Sequence, residues 1–231
     1  MIRPPHFAFA VVATLLVALP LRAQEVSRGV AGGGITVAGW TGKIDASEEK
    51  AGLSLNSAKF AAEGKGFHVT TGPAVSYWNP ANKATGNYTV KATFAEPKFQ
   101  NLNDHPHPYG IMIAGNDLDG AHSLLYCTAY GTGTFIVRGF APAPFRLGGR
   151  NPTPSDAVHK AAGKGEPVTQ EIAMSVKDGK VSCSINGTVV ATYDKSEAVG
   201  EGKLKSLDGA YGLRFGHNTE VTVTGFSMTK N

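Results

Sequence analysis

The sequence predicts an all-β fold, a jelly-roll β-sandwich of two antiparallel sheets, and three observations lead there. From Ile35 onward the apolar segments are short, rich in β-branched or aromatic residues, and followed by Gly, Asn, Asp or Pro, with almost no helical spacing. Glycine supplies 29 of the 231 residues, nearly double the ~7% of average usage, without a Gly-X-Y period; it therefore serves turns and bulges rather than collagen. The chain is 42% hydrophobic and 17% charged, which suits a packed domain and not a disordered one.

Met1 to Ala23 reads as a secretory signal peptide, with basic Arg3, a mostly apolar run from Phe7 to Leu19, then Pro20 and small Ala23 before Gln24. As a helix that run spans only about 20 Å against a hydrocarbon core of ~30 Å, so a permanent anchor is the poorer fit. The first cysteine is Cys127, which leaves no thiol for a lipid anchor at a new N-terminus. The expected product is exported, periplasmic or extracellular, with no membrane span after cleavage. Two of the 22 basic residues, Arg3 and Arg22, lie in this segment and none of the 18 acids does. The mature chain thus keeps a small positive excess, too weak to argue for nucleic acid or an anionic membrane.

Residues 24–34 are expected as a flexible mature N-terminus and 35–231 as one domain, since neither an internal repeat nor a change of composition marks a boundary. Candidate strands are Ile35 to Trp40, Phe67 to Thr70, Val75 to Trp78, Tyr88 to Phe94, Tyr109 to Ala114 and Ser123 to Tyr130. They continue with Thr134 to Arg138, Glu171 to Val176, Val181 to Ile185, Val189 to Tyr193, Ala210 to Phe215 and Val221 to Met228. Asp178-Gly179 and Asn186-Gly187 suit two-residue hairpin turns, which makes a meander of the strands they separate. In its middle strand Val181, Cys183 and Ile185 share one face and Ser182 and Ser184 the other, so one side is buried and one wet. The Pro-rich stretch from Ala141 to Pro167 is a long loop, with Asp156 to Ala162 expected as a helical turn capped by Ser155. A blade period is absent, which argues against a propeller, and a lipocalin-type barrel needs fewer, longer strands.

Several motifs carry a resemblance. Gly39-Trp40, Gly66-Phe67-His68-Val69, Tyr77-Trp78, Gly86-Asn87-Tyr88-Thr89-Val90 and Tyr109-Gly110-Ile111-Met112-Ile113-Ala114-Gly115 occur in that order. Ile185-Asn186-Gly187-Thr188-Val189-Val190, Asp208-Gly209-Ala210-Tyr211-Gly212-Leu213-Arg214 and Val223-Thr224-Gly225-Phe226 follow. From Gly39 to Met228 the chain resembles the concanavalin A-like lectin/glucanase superfamily, and more narrowly the laminin-G-like and 3-keto-disaccharide-hydrolase-like domains of secreted bacterial proteins. The resemblance implies a sugar-related extracellular role and leaves catalysis open.

Candidate chemistry is scattered. A retaining glucanase needs two carboxylates about 5 Å apart in a cleft, and no strand carries such acids; Asp45, Glu48 and Glu49 fall in a polar loop and read as solvated surface. Asp117 and Asp119, in Asn116-Asp117-Leu118-Asp119-Gly120, offer oxygen ligands for calcium, although an Asx turn explains them equally. His105 and His107, interleaved with Pro106 and Pro108, have the donors of a zinc or copper site with His122 as a third ligand, and also suit a stiff edge connection. Tyr77 and Trp78, with Tyr126, Tyr130 and Phe140, offer flat faces for a sugar ring, or core. Arg138, Arg214 and Asn218 are candidate hydroxyl or carboxylate contacts, and His217 or His122 a general base. Cys127 and Cys183 permit a disulfide in an exported chain, while two buried thiols fit the same positions. The expected protein is a secreted carbohydrate- or glycan-binding module without obvious catalytic acids and without a cofactor, calcium being the alternative. A glycoside hydrolase of the 3-keto-disaccharide type and an extracellular protein-interaction module are the alternative functions. Nothing in the sequence sets the oligomeric state.

Overall fold

The computed structural model describes Met1 and residues 26–231, so the expected signal peptide falls almost wholly outside the described residues. In chain order the first strands are β1 (Gly34–Ile35), β2 (Thr41–Ile44), β3 (Lys59–Glu63), β4 (Gly66–Thr70), β5 (Val75–Ala84), β6 (Tyr88–Glu96), β7 (Tyr109–Asn116) and β8 (Ser123–Tyr130). They are followed by β9 (Thr134–Phe140), β10 (Pro144–Leu147), β11 (Thr153–Pro154), β12 (Val168–Lys177), β13 (Lys180–Ile185), β14 (Thr188–Asp194), β15 (Gly209–Phe215) and β16 (Glu220–Lys230). Two short helices, α1 (Ala46–Lys50) and α2 (Lys195–Ala198), lie in connections. No helix among the described residues is long and apolar enough to cross a membrane.

The strands form two sheets, one ordered β1-β3-β4-β16-β6-β12-β13-β14 and the other β10-β9-β8-β7-β15-β5-β2, with β11 beside β9. All pairings but that of β1 with β3 are antiparallel. This is the jelly-roll sandwich that the alternating pattern predicts. The meander of β12, β13 and β14 forms as expected, with Asp178 and Asn186 at positive φ in its turns. Alternate residues meet between the sheets: Phe94, Val90, Ile172, Met174, Val221 and Val223 from the first, Ile111, Ile113, Leu125, Val137, Leu213 and Phe215 from the second. Tyr77 stacks on Phe60 across this core at 4.5 Å between ring centroids.

The second sheet is buried on both faces. Trp78, Met112, Leu118, Leu124, Tyr126, Ile136 and Ala210 form a separate apolar cluster on its outer side. Its strands β7 and β8 are consequently near-continuous hydrophobic runs rather than alternating ones. Connections cover that outer side, and they carry most of the polar chemistry described below.

Several local expectations are corrected. Ile35 to Trp40 is not one strand: pairing stops after Ile35 and resumes at Thr41, because Gly39 takes a positive φ between them. Strands β2 and β3, with their small and charged residues, have too little apolar alternation to be read locally; sheet partners hold them instead. Asp156 to Ala162 forms a turn and no helix; Ser155 does accept the Ala157 N–H, and Val158 buries its side chain, pinning the long loop. Within the loop read as structureless, β10 and β11 both pair with β9. Residues 26–34, expected to be flexible, hydrogen-bond to the sandwich through Arg28 N–H to Asn218 Oδ1 (2.8 Å) and Val30 N–H to the Ser57 carbonyl (3.1 Å).

Cys127 on β8 and Cys183 on β13 are disulfide-bonded, joining the two sheets through the core. A cross-link over 56 residues removes chain entropy from the unfolded state worth about 4 kcal/mol. Replacing both cysteines by alanine is expected to lower unfolding stability by roughly that amount, read as a fall in the urea midpoint; an unchanged midpoint would show that the bond contributes nothing.

Candidate functional site

The outer face of the second sheet holds a groove that can be derived from strand register. Residues opposite one another across neighbouring antiparallel strands share a face, so Ser76, Arg214, Gly110, Thr128 and Ile136 form one row. Trp78, Gly212, Met112, Tyr126, Arg138 and Arg146 form the next. Gly110 offers no side chain in the first row, and a Cβ there would lie 2.1 Å from the Cys127 carbonyl oxygen. Arg214 therefore meets no side chain from its partner position on β7.

Arg214 is 6% exposed and grips Asp45 in a fork-to-fork pair, Nη1 donating to Oδ1 and Nη2 to Oδ2, both at 2.6 Å. Its Nη1 also donates to Ser76 Oγ at 3.3 Å, and its Cζ stands 5.3 Å from the Tyr126 ring centroid and 5.4 Å from that of Phe140. Burial opposes the charge, but the Asp45 carboxylate outweighs it and raises the Arg214 pKa above its usual value. Asp45 directly precedes α1, on which Glu48 lies one turn further on. The His122 ring stacks on Phe140 at 5.4 Å. Burial first, then the charge of Arg214, pushes the His122 pKa down to about 4, so the ring is neutral near pH 7.

Three adjoining hollows of about 270, 450 and 480 Å³ meet at Asp45. Tyr126 and Arg138 line the first two, Phe140 and Pro144 the last two, His122 the third, and Thr128, Tyr130 and His217 the first. Three buried polar atoms of these lining residues have no hydrogen-bond partner among the described residues: Arg138 Nε, His122 Nε2 and Thr128 Oγ1. Such groups in a packed protein are ordinarily satisfied by ordered water. Arg138 otherwise donates from Nη2 to the Arg150 carbonyl at 3.0 Å, and Arg146 faces it across β9 and β10.

At one end of this groove His105, His107 and His217 gather, with ring centroids 4.3 Å apart for His105–His107 and 3.8 Å for His107–His217. His217 Nδ1 lies 3.0 Å from Ser27 Oγ and 3.6 Å from Glu48 Oε1, and Ser27 Oγ donates to the same carboxylate oxygen at 2.9 Å.

The sequence candidates are thus partly united and partly dispersed. Arg138 and Arg214 share the groove, and Tyr126, Phe140 and Tyr130 border it. Tyr77 is corrected: β5 alternation turns it into the core at 0% exposure, where it meets Phe60 and no ligand on the outer face. Trp78 does reach the outer face, but at 3% exposure its ring is covered by the apolar cluster and offers no open platform. Asn218 is also corrected, being 1% exposed and engaged with the N-terminal segment; its Nδ2 donates to the Val26 carbonyl and its Oδ1 accepts from Arg28. His122 does not join His105 and His107, because the turn before β8 sets it on Phe140; His217 is the third member instead. Asp117 accepts the Ala121 N–H as a turn cap, and the Lys43 ammonium donates to the carbonyls of Asp119 and Gly120, putting a fixed positive charge at that turn. Asp45 and Glu48, read from sequence as solvated surface, are the acids of the site. Asp45 lies 169 residues from Arg214, and no local signal marks either acid.

Two outcomes follow. Asp45→Asn leaves the Arg214 charge buried without its counter-ion and is expected to cost about 3 kcal/mol in chemical denaturation, much of it recovered in Asp45→Asn/Arg214→Met; equal losses in both would remove the pair from the account. The lowered His122 pKa supplies stability fully present above its ordinary value of 6.5 and lost as pH falls through about 4. An NMR titration of the His122 ring with a midpoint near 6.5 would contradict this.

No protein-family model and no curated protein sequence matches the chain. Its structure is similar to the carbohydrate-binding module CBM66 from Bacillus subtilis, with a TM-score of 0.56 at 9% identity over 83% of this chain and 96% of that one. It is also similar to a protein of unknown function with a galectin-like fold from Bacillus subtilis, with a TM-score of 0.53 at 12% identity over 83% and 89% of the two chains. At these identities the likeness is one of fold, and the fold is the concanavalin A-like, galectin-like β-sandwich that the sequence motifs resemble.

Proposed function

We propose that this chain is an exported glycan-binding β-sandwich whose groove around Asp45 takes an anionic carbohydrate. The two arginines that line the 450 Å³ hollow side by side, Arg138 and Arg146, carry the reading. A guanidinium in the floor of an open groove is matched by a planar carboxylate or a sulfate, and Arg146 stands beside it as a second fork. Among the described residues, neither arginine has an acidic side chain within salt-bridge distance. Tyr130 and Phe140 border the hollows with ring surface for sugar C–H groups. The similar module CBM66 is named for carbohydrate binding, which supports the same reading. Export is supported by the N-terminal apolar segment and by a cross-sheet disulfide, a bond that persists in oxidising compartments.

Binding is favoured over catalysis by the state of the acids. Asp45 is held on both oxygens by Arg214, which ties up the carboxylate a glycosidase would need as nucleophile or base. One feature favours the hydrolase alternative: Glu48 and Ser27 orient His217 at the groove's edge. Turnover of 3-keto-glycosides that disappears in His217→Asn would establish it.

Calorimetric titration with uronic-acid, sulfated and neutral oligosaccharides is expected to show binding for the charged sets. Arg138→Ala should weaken it about 10- to 100-fold, and Arg138→Lys should restore little because the fork is lost. Binding confined to neutral sugars, or unchanged in Arg138→Ala, would refute the groove assignment.

A further inference from the structure

We propose that His105, His107 and His217 form a binding site for a divalent transition-metal ion, zinc foremost. One ligand nitrogen from each of the three lies within 4.8 Å of the others. In a tetrahedral zinc site nitrogens at 2.0–2.1 Å from the metal stand about 3.3 Å apart, so closure requires only small side-chain rotations. Three imidazoles suit zinc, copper or nickel and do not suit calcium or magnesium, which take oxygen ligands.

The backbone builds the cluster. Strand β7 pairs with β15 so that Tyr109 faces Phe215, and the Gly216 N–H donates to the Pro108 carbonyl at 2.7 Å. Carrying this register one residue further sets His217 beside His107. Gly216 makes the approach possible, since a Cβ there would lie 2.9 Å from Pro108 Cδ and 3.0 Å from His107 Cβ. Pro106 and Pro108 fix φ on either side of His107 and limit the loop's freedom, which lowers the ordering cost of binding.

His217 Nδ1 faces Ser27 Oγ and Glu48 Oε1, so metal ligation falls to Nε2, with the carboxylate behind the ring. A carboxylate behind a ligating histidine orients the ring and makes it more basic toward the metal. His217 and Glu48 are 15% and 13% exposed, so the pair is shielded while His105 stays accessible to an entering ion. Three protein ligands leave a fourth position, as in zinc sites that admit water or substrate, and His107 and His217 border the same hollow as Asp45 and Arg138. The site rests on none of the glycan contacts and is measured without sugar.

The test uses untagged protein freed of metal, titrated with zinc against a chromophoric chelator and with cobalt followed by visible absorption. About one equivalent is expected to bind, with the intense cobalt bands of four-coordinate geometry. His107→Ala and His217→Ala should each weaken zinc binding at least about 10- to 100-fold, as should His105→Ala, whose exposed position leaves folding untouched and which keeps the test meaningful if the others unfold. Glu48→Gln, a positioning change, should weaken binding about 10-fold and shift the cobalt bands. Wild-type protein that takes up no metal, or a folded His105→Ala variant that binds as wild type, would overturn the site. Sugar binding that persists in metal-free protein would leave the glycan reading intact.

Discussion

The antiparallel register of β7 against β15 is the constraint on which the functional side of this molecule depends. Setting Phe215 opposite Tyr109 buries both rings in the core. One residue back, Arg214 then falls opposite Gly110 and on the outer face; two residues on, His217 falls beside His107. A slip of one residue would turn Arg214 into the core and separate the histidines. The register is secured by burial of Leu213, Phe215, Ile111 and Ile113 at 0% exposure, each worth about 1.5–3 kcal/mol. Hydrophobic packing on one face of the sheet thus fixes the polar chemistry on the other.

The Arg214–Asp45 pair shows what that chemistry costs and does. Desolvating a guanidinium and a carboxylate largely cancels their attraction, so such a pair is a poor source of stability. Its position explains it better: it anchors the chain at the start of α1, which brings Glu48 toward His217 and sets one wall of the groove. Neutral His122 stacked on Phe140 is compatible with the nearby guanidinium because burial suppresses its charge.

The second sheet is unusual in being apolar on both sides. Tyr126, Met112 and Trp78 project from the same strands as core residues, only one position removed. An outer aromatic and an inner one look alike in a run such as Val75-Ser76-Tyr77-Trp78, which is why Tyr77 and Trp78 both read as ligand faces when one is core and the other covered. Arg214, read as a ligand contact, instead turns its fork to Asp45, since a charged residue inside an apolar strand must find a partner, the groove or solvent. Asp45 and Glu48 could not be placed, because a polar loop reads the same whether it faces solvent or caps a buried guanidinium.

Alternation, turn dipeptides and composition determined by themselves the sandwich class, the meander of β12 to β14, most strand positions and the residue types available for chemistry. Those are local properties, set by side-chain period and backbone φ. Only the tertiary structure decided which distant residues meet: Cys127 with Cys183, Arg214 with Asp45, and His217 rather than His122 with His105 and His107. Such pairings come from strand order and register across the whole sheet, where burial energy is summed over many residues, and no short stretch of sequence contains that sum.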